Sequence, residues 1–395
     1  MSKVFPEKSI SAVTKVITSP VDKKTMPDEI PVFLCNYTDV YYNSKITGNM
    51  PFMEATAKQS EIDRFSLYPN DVVITKDSES ADDIGIPTYI QSIRENLLCG
   101  YHLTILRPKK NVNGRFLSLT LTHPRITYDF YRYANGITRF GLTTETYSKV
   151  KIPLPPVPEQ KAIADLLSTW DEAIEKTERL IQAKEANFKG QIQKLIGQRC
   201  DSWPHVKPKK IFDTITEKNF PDEELLSVTQ DRGVIPRSML EGRVMSPDGT
   251  TASYKLIKRG DFAISLRSFQ GGIEYSNYQG IVSPAYTVLR PKIELNSDFY
   301  RLFFKSYIFI EKYLNLAVIG IRDGKQISIP DFLSIKIPVP PLVEQKEIVE
   351  TLAVCQQEID LLKQLANKYK TQKRGLMQKL LTGEWRVKPE IVNQY

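Results

Sequence analysis

Apolar residues recur every seven positions along two long stretches of the chain. In the first they fall at Leu167, Ile174, Ile181, Phe188 and Leu195, with a second row at Ile163 and Trp170. In the other they fall at Leu352, Ile359, Ala366 and Leu380, flanked by Ile348, Cys355, Leu362, Tyr369 and Leu376. Charged residues occupy the remaining faces, so each stretch reads as a helix that buries one stripe against a partner helix. Proline is favoured in a first turn and disfavoured further in, which makes Pro158 and the Pro155-Pro156 and Pro340-Pro341 pairs starts, and Gly197 and Gly383 stops. Each helix then has about 40 residues and spans roughly 60 Å at 1.5 Å per residue.

The two helices open on one motif. Lys151-Ile-Pro-Leu-Pro-Pro-Val-Pro-Glu-Gln-Lys161 returns as Lys336-Ile-Pro-Val-Pro-Pro-Leu-Val-Glu-Gln-Lys346, so that Ile152 and Ile337, or Gln160 and Gln345, stand 185 positions apart. This is a duplicated unit. One copy alone would suit a plain dimerising coiled coil. Two copies in register within one chain predict an antiparallel pair of helices packed on each other.

The segments before the helices carry a shorter period. In the first, strand-like runs at Val32–Cys35, Asp71–Thr75 and Tyr101–Leu106 are bounded by turn residues. A helical pair follows at Gly114–Thr122 and Thr127–Tyr133, broken at His123-Pro124, and then a turn and polar-aromatic loop at Asn135–Gly141. The second segment runs through the same series after Trp203-Pro204. Leu226–Thr229 matches the first strand, Gly260–Ser265 matches Asn70–Thr75, Thr287–Lys292 matches Thr104–Lys109, and a helix at Ser297–Leu314 precedes Gly320–Gln326, the counterpart of Asn135–Gly141. The fold class expected is α/β (α+β): two domains separated by an antiparallel pair of long coiled-coil helices, with an internal pseudo-two-fold repeat. The boundaries read as 1–157 for the first domain, 158–199 for the central helix, 200–342 for the second domain, 343–383 for the C-terminal helix and 384–395 for a tail.

Composition adds a charge argument and removes several chemistries. With 395 residues the chain suits two or three domains. Lys and Arg number 54 against 46 Asp and Glu, which permits a polyanionic partner. The excess is uneven: Lys363 to Lys388 holds eight basic residues and one acidic one, Glu384, a pattern that fits either a solvated helix face or contact with phosphate or a partner. Four scattered cysteines, Cys35, Cys99, Cys200 and Cys355, and three histidines support neither a metal site nor a disulfide framework. Met1–Pro20 lacks the apolar core of a signal peptide, and the longest apolar stretch, Phe299–Ile321, is interrupted by Arg301, Lys305, Glu311 and Lys312, so a reducing cytoplasm is expected. No Gly-x-Gly-x-x-Gly is present, and Gly320–Lys325 is one residue short of a phosphate loop, with Gln326 where a Ser or Thr should stand. The Glu-x-Lys at Glu159–Lys161 and Glu344–Lys346 lies on helix starts, where a capping or dipole role suffices. A binding function fits better than catalysis.

The paired Ile-Pro-x-Pro-Pro-x-x-Glu-Gln motifs, each opening a long seam helix that closes near Gln-Lys-Leu and each preceded by a globular region, resemble the specificity subunit of type I restriction–modification enzymes over essentially the whole chain. The first domain is similar to a recognition domain of that family through Asn36–Asn43, Ile74–Glu79, Cys99–Pro108 and Ala134–Arg139, and the second through Ser227–Val234. Trp203-Pro204 resembles the usual opening of such a domain; Met1–Lys15 has no such Trp. The resemblance implies a non-catalytic subunit whose two domains each read half of a bipartite DNA site. It also implies two docked methyltransferase subunits that bring S-adenosylmethionine, and two restriction subunits that bring ATP and Mg. The chain itself would hold no cofactor.

Base reading needs donors and acceptors on loops, and phosphate binding needs cations. The polar loops that follow the matched strands offer Thr75, Lys76, Asp77, Ser78, Tyr101, His102, Thr138 and Arg139 in the first domain. The second offers Arg232, Arg267, Ser268, Phe269, Gln270, Arg322, Lys325 and Gln326. Helix packing or partner docking falls to Ile163, Leu167, Trp170, Ile174, Ile181, Phe188, Leu195, Ile348, Leu352, Ile359, Leu362, Leu376 and Leu380. Two other readings stay open: the recognition subunit of a fused methylase–nuclease system, and a coiled-coil adaptor that never touches DNA.

Overall fold

The computed structural model describes residues 5–240, 251–265, 272–319 and 326–395. Two compact bodies make up the chain, Met1–Lys176 with Ala366–Tyr395, and Thr177–Leu365.

In the first body a five-stranded sheet runs in the order Thr14–Thr18, Leu103–Pro108, Val72–Thr75, Pro87–Ile90, Lys45–Ile46. A three-stranded sheet places Ile30–Cys35 between Met53–Ala57 and Leu97–Cys99. Val73, Ile105, Leu34 and Leu98 are buried completely in one cluster, and Val72, Ile74 and Leu106 are as fully buried in another on the opposite face, so the central strands are covered on both sides and read as continuous apolar runs. Helices Gly114–Leu121 and Pro124–Tyr133 follow. The second of them begins three residues before the expected Thr127, because His123 caps it, its Nδ1 accepting from the Arg125 amide at 3.2 Å, and Pro124 is content in the first turn.

The second body repeats the sheet. Phe212–Ile215, Tyr286–Pro291, Phe262–Ser265 and Glu274–Tyr275 lie in the same order, and Leu289 faces Phe262 as Leu106 faces Val72. Leu226–Thr229 runs antiparallel to Gly233–Pro236 while Leu225 bridges in parallel to Ile281, the arrangement of Ile30–Cys35 between its own two neighbours. The single helix expected at Ser297–Leu314 is two. Ser297–Lys305 stops at Ser306, whose backbone is extended and whose hydroxyl accepts from the Phe309 amide, and a second helical segment continues to Ala317. A serine N-cap, with no proline beside it, divides the helix, and the result matches the helix pair of the first body.

The duplication extends to the entry strand of each domain. Glu7–Ser9 pairs with Lys151–Pro153, and His205–Val206 pairs with Ile337–Pro338. The Leu154 amide donates to the Pro6 carbonyl at 2.9 Å, and the Val339 amide to the Pro204 carbonyl at 2.8 Å. Phe5-Pro6 therefore stands where the second domain has Trp203-Pro204, and the first domain opens there.

The long helices run Val157–Ile192, continued by one wide turn at Gln193–Gly197, and Leu342–Thr382. Gly383, at φ +80°, follows the second as a left-handed stop. Their antiparallel pairing is explicit within each body. In the first, Ile163 and Leu167 cluster with Leu380 and Leu381, while further along Trp170 meets Tyr369 edge-on at 5.7 Å and Asp171 pairs with Lys373 at 2.5 Å. In the second, Lys184 pairs with Glu358 at 2.7 Å and Glu185 with Lys363 at 2.6 Å, while further along Phe188 and Leu195 pack on the cluster that holds Ile348 and Leu352.

Candidate nucleic-acid interface

Three loops of the first body meet at one place. The Lys76 amide donates to the His102 carbonyl at 3.0 Å, the Leu142 amide donates to the Lys76 carbonyl at 2.8 Å, and Phe140–Gly141 pairs with Asp77–Ser78. Side chains complete the cluster. Asp77 Oδ2 lies 2.6 Å from His102 Nδ1 and 3.0 Å from Lys76 Nζ, and Arg139 Nη2 lies 3.5 Å from His102 Nε2. A carboxylate at Nδ1 places the neutral ring's proton there and turns Nε2 outward as an acceptor. Burial pushes the Asp77 carboxyl up, but the hydrogen bonds from His102 and Lys76 outweigh it and hold the group below the usual carboxylate range. His102 keeps a left-handed backbone, φ +69°, uncommon for any residue with a side chain and locally strained. Tyr101, about half exposed, lies against the His102 ring at 3.6 Å between centroids, with Lys76 Nζ 5.8 Å from its ring centroid.

Lys76, Asp77, Ser78, Tyr101, His102, Thr138 and Arg139 are thus exposed or half-buried around one cationic patch. Thr75 is not among them. It is fully buried, and its hydroxyl accepts from the Ile86 amide at 3.0 Å, because it ends a central strand that is covered on both faces. Two elements that the loop reading passed over border the patch: Tyr41, whose hydroxyl donates to Asp83 at 3.0 Å, and Tyr37, stacked on Tyr41 at 5.6 Å. Their signal was the run of tyrosines in Asn36–Asn43.

In the second body Arg232 is exposed in the turn between Leu226–Thr229 and Gly233–Pro236, its Nη1 donating to the Met239 carbonyl at 3.0 Å. Gln326 is exposed and faces Ile319 in the pair Val318–Ile319 with Gln326–Ile327, the counterpart of the Asn135–Gly141 bridge. Arg267, Ser268, Phe269, Gln270, Arg322 and Lys325 lie outside the described residues. No group of three His, Cys, Asp or Glu side chains among the described residues is placed to hold a metal ion. No described helix is long and apolar enough to cross a membrane.

The seam residues face inward. Ile163, Leu167 and Leu380 are buried with Phe5 and Phe116 in the first body, and Leu376 packs against them. Ile348 and Leu352 are buried with Trp203 and Phe299 in the second, with Phe188 and Leu195 against them. Ile181 and Ile359 are buried, and Trp170, Ile174 and Leu362 are half-buried. Exposed apolar surface on the helices belongs instead to Leu166, Leu180, Val343, Val354, Leu361 and Leu365.

The Glu-Gln of each motif does more than cap a helix. Gln160 accepts from the Asn113 amide at 2.8 Å and donates to the Pro155 carbonyl at 2.7 Å, and Gln345 does the same with Asn296 and Pro340, at 2.8 Å each. Each buried Gln pins its long helix to the short helix of its domain. Glu344 accepts from Trp203 Nε1 at 3.0 Å and from Arg199 at 3.1 Å. Phe5 has no such N–H, and Glu159 is instead held by both prongs of Arg386, at 2.6 and 2.5 Å, with the guanidinium over the Phe5 ring at 4.7 Å. Residues after Gly383 are therefore built into the first body, Val387 buried and the Tyr395 hydroxyl on Asp165 at 2.7 Å. Of the basic run, Lys363, Lys373, Lys379 and Arg386 are engaged in ion pairs of the fold.

Comparison with known proteins agrees with this architecture. The family described as type I restriction modification DNA specificity domain matches at residues 14–185 and 245–370, once in each half. The chain is 27% identical to the putative type I restriction enzyme MjaX specificity subunit of Methanocaldococcus jannaschii, covering 84% of this chain and 82% of that one. It is 26% identical to the MjaVIII specificity subunit of the same organism, covering 81% and 80%. Its fold is similar to the crystal structure of a type I restriction-modification S subunit from M. genitalium, with TM-score 0.55, 16% identity, and 96% of this chain and 97% of that one covered. With both repeats matched and the sheet, helix pair and seam helix present twice, the chain belongs to the type I restriction–modification DNA specificity family.

Proposed function

We propose that this chain is the DNA-recognition subunit of a type I restriction–modification complex, each domain reading one half of a bipartite site. The observation that carries this is the repetition of one scaffold, sheet and helix pair, joined by the same buried Gln to a long helix each time, while the loops above the two sheets differ in sequence. A shared scaffold with dissimilar loops suits two dissimilar half-sites. The first domain's cationic loop cluster supplies donors, acceptors and phosphate-binding charge at one surface. The paired helices are stiff enough to set the distance between half-sites, which a flexible linker is not. Catalysis is assigned to partners: two methyltransferase subunits docked on the helices, with S-adenosylmethionine, and two restriction subunits with ATP and Mg. The chain reads as a cytoplasmic protein that binds no cofactor of its own.

Single-molecule methylome sequencing of a host carrying the methyltransferase, with and without this chain, tests the proposal. The expected result is one bipartite methylated motif that appears only with the chain. An unchanged methylome would overturn it.

A further inference from the structure

Ile137 is 94% exposed, more than any other large apolar side chain among the described residues. It does not hang on a slack loop. Asn135 and Gly141 exchange two backbone hydrogen bonds, at 3.0 and 2.8 Å, and close the base of a finger whose last residues pair with Asp77–Ser78. Within the finger Gly136 adopts φ +141°, and a Cβ there would lie 1.9 Å from the Arg139 carbonyl oxygen, so the chain folds over itself more tightly than any other residue permits. Leu142, just beyond, is tucked into the core, which shows that burial was open to an apolar residue of this segment. The tip is apolar, stiff and set beside cations, with Arg139 two residues on and Lys76 in an adjoining loop.

We infer that Ile137 reads thymine, through apolar contact with its 5-methyl group in the major groove, an inference that rests on the DNA-recognition reading above. Cations on the flanks of the finger suit phosphates, while an apolar tip needs an apolar partner. Among the groups that base edges show in the major groove, only the thymine methyl is apolar. A finger closed before binding loses little freedom when it enters. The second repeat has Gly320-Ile321 in the matching stretch of sequence, outside the described residues.

The test uses the full chain, wild type and with Ile137→Ala or Ile137→Leu. A pool of random duplexes is first selected for binding and sequenced, and the selected duplex is then rebuilt with uracil for thymine, one position at a time. Wild type should lose about fourfold in affinity at one thymine of one half-site, the worth of one buried methyl. Ile137→Ala should show that lowered affinity already, ignore the uracil change, and keep the wild-type preferences in the other half-site. Ile137→Leu should remain sensitive to uracil, and both variants should melt with wild type because the side chain is exposed. Unchanged base preference in Ile137→Ala, or wild-type indifference to uracil at every position, overturns the inference. If wild type selects no sequence from the pool, the recognition reading itself falls, and this inference with it.

Discussion

Arg107 holds Asp71 by both prongs, Nε to Oδ1 and Nη2 to Oδ2 at 2.9 Å each, with the Asp71 side chain 2% exposed. Arg290 and Asp261 repeat the pair in the second body, Nη2 to Oδ2 at 2.8 Å. Each acid precedes a central strand and each arginine lies near the end of the strand beside it, so the pair pins neighbouring strands at the end of the sheet opposite Lys76 and His102. Removing one partner leaves a buried charge without compensation. Arg107→Ala should lower the stability of the first body by about 3 kcal/mol, and Arg107→Met combined with Asp71→Asn should recover most of it. Urea unfolding of the three chains measures this; an Arg107→Ala chain as stable as wild type would show that the pair contributes little.

The Gln160 and Gln345 bonds predict a second, separable effect. Each amide is buried and each sits in a different body, so Gln160→Ala should destabilise the first and Gln345→Ala the second, by about 2 kcal/mol in each case for buried polar groups left unpaired. Tryptophan reports the two bodies apart, with Trp170 and Trp385 in the first and Trp203 in the second. Unfolding followed by fluorescence of single-tryptophan chains should therefore show one shifted transition per variant. Gln160→Glu should cost more than Gln160→Ala, because a carboxylate would face the Asn111 and Pro155 carbonyl oxygens.

Much of the fold was legible in the residues, and what was not has identifiable causes. The heptad rows and the repeated Pro-Pro-x-x-Glu-Gln announced the helices, because positions seven apart line up on one face of a helix but alternate between the two faces of a strand. The matches of Gly260–Ser265 to Asn70–Thr75 and of Thr287–Lys292 to Thr104–Lys109 hold to the residue in the strand register. The start of the first domain was hidden because Phe5 replaces a Trp, and its missing N–H is supplied by Arg386, remote in sequence. Local pattern does not show such an exchange. Ser306 was passed over because a serine cap inside an apolar, aromatic run leaves the helical period intact on both sides. Thr75 reads as a loop residue in the sequence, but it ends a strand that two clusters cover on opposite faces, and residues remote in sequence supply that cover.

Arg139 is exposed, and its nearest polar contact is the 3.5 Å approach to His102 Nε2. Its guanidinium is available to a duplex. Arg139→Ala should weaken sequence-specific binding by about 1–3 kcal/mol, and relax the preference at one base pair if the contact is to a base edge. If the contact is to phosphate, the loss should be uniform across sequences and the salt dependence should become shallower by about one ion. Titrations of the full chain with duplex at several salt concentrations separate the outcomes, and equal binding by wild type and variant would remove Arg139 from the interface.

Asp77 gives the cluster an acid limit. Its folded value lies below its unfolded one, so its contribution is complete above the unfolded carboxylate range and is lost as pH falls through the folded value. Wild type should exceed Asp77→Asn in stability above about pH 4, and the two should converge in stronger acid. The gap should stay under about 1 kcal/mol because the group is partly solvated. Duplex binding by Asp77→Asn should fall as well, since His102 and Lys76 lose the carboxylate that orients them. Unfolding curves across the acid range check the sign: a gap that widens as pH falls would contradict it.

The helix pair predicts a change of length rather than of sequence preference. A heptad inserted into each long helix, between the Asp171–Lys373 and Lys184–Glu358 pairs, keeps the seam in register and lengthens the rod by about 10 Å at 1.5 Å per residue. Along a duplex rising 3.4 Å per base pair, that is about three base pairs added between the half-sites, with both halves unchanged. Three base pairs also carry one half-site roughly 100° around a duplex of about 10.5 base pairs per turn, so methylation at the new spacing should be slower than wild type at its own. An insertion in one helix alone breaks the seam and should abolish modification. Methylome sequencing reads the spacer directly, and a double-insertion chain that kept the original spacing would show that something other than the rods sets it.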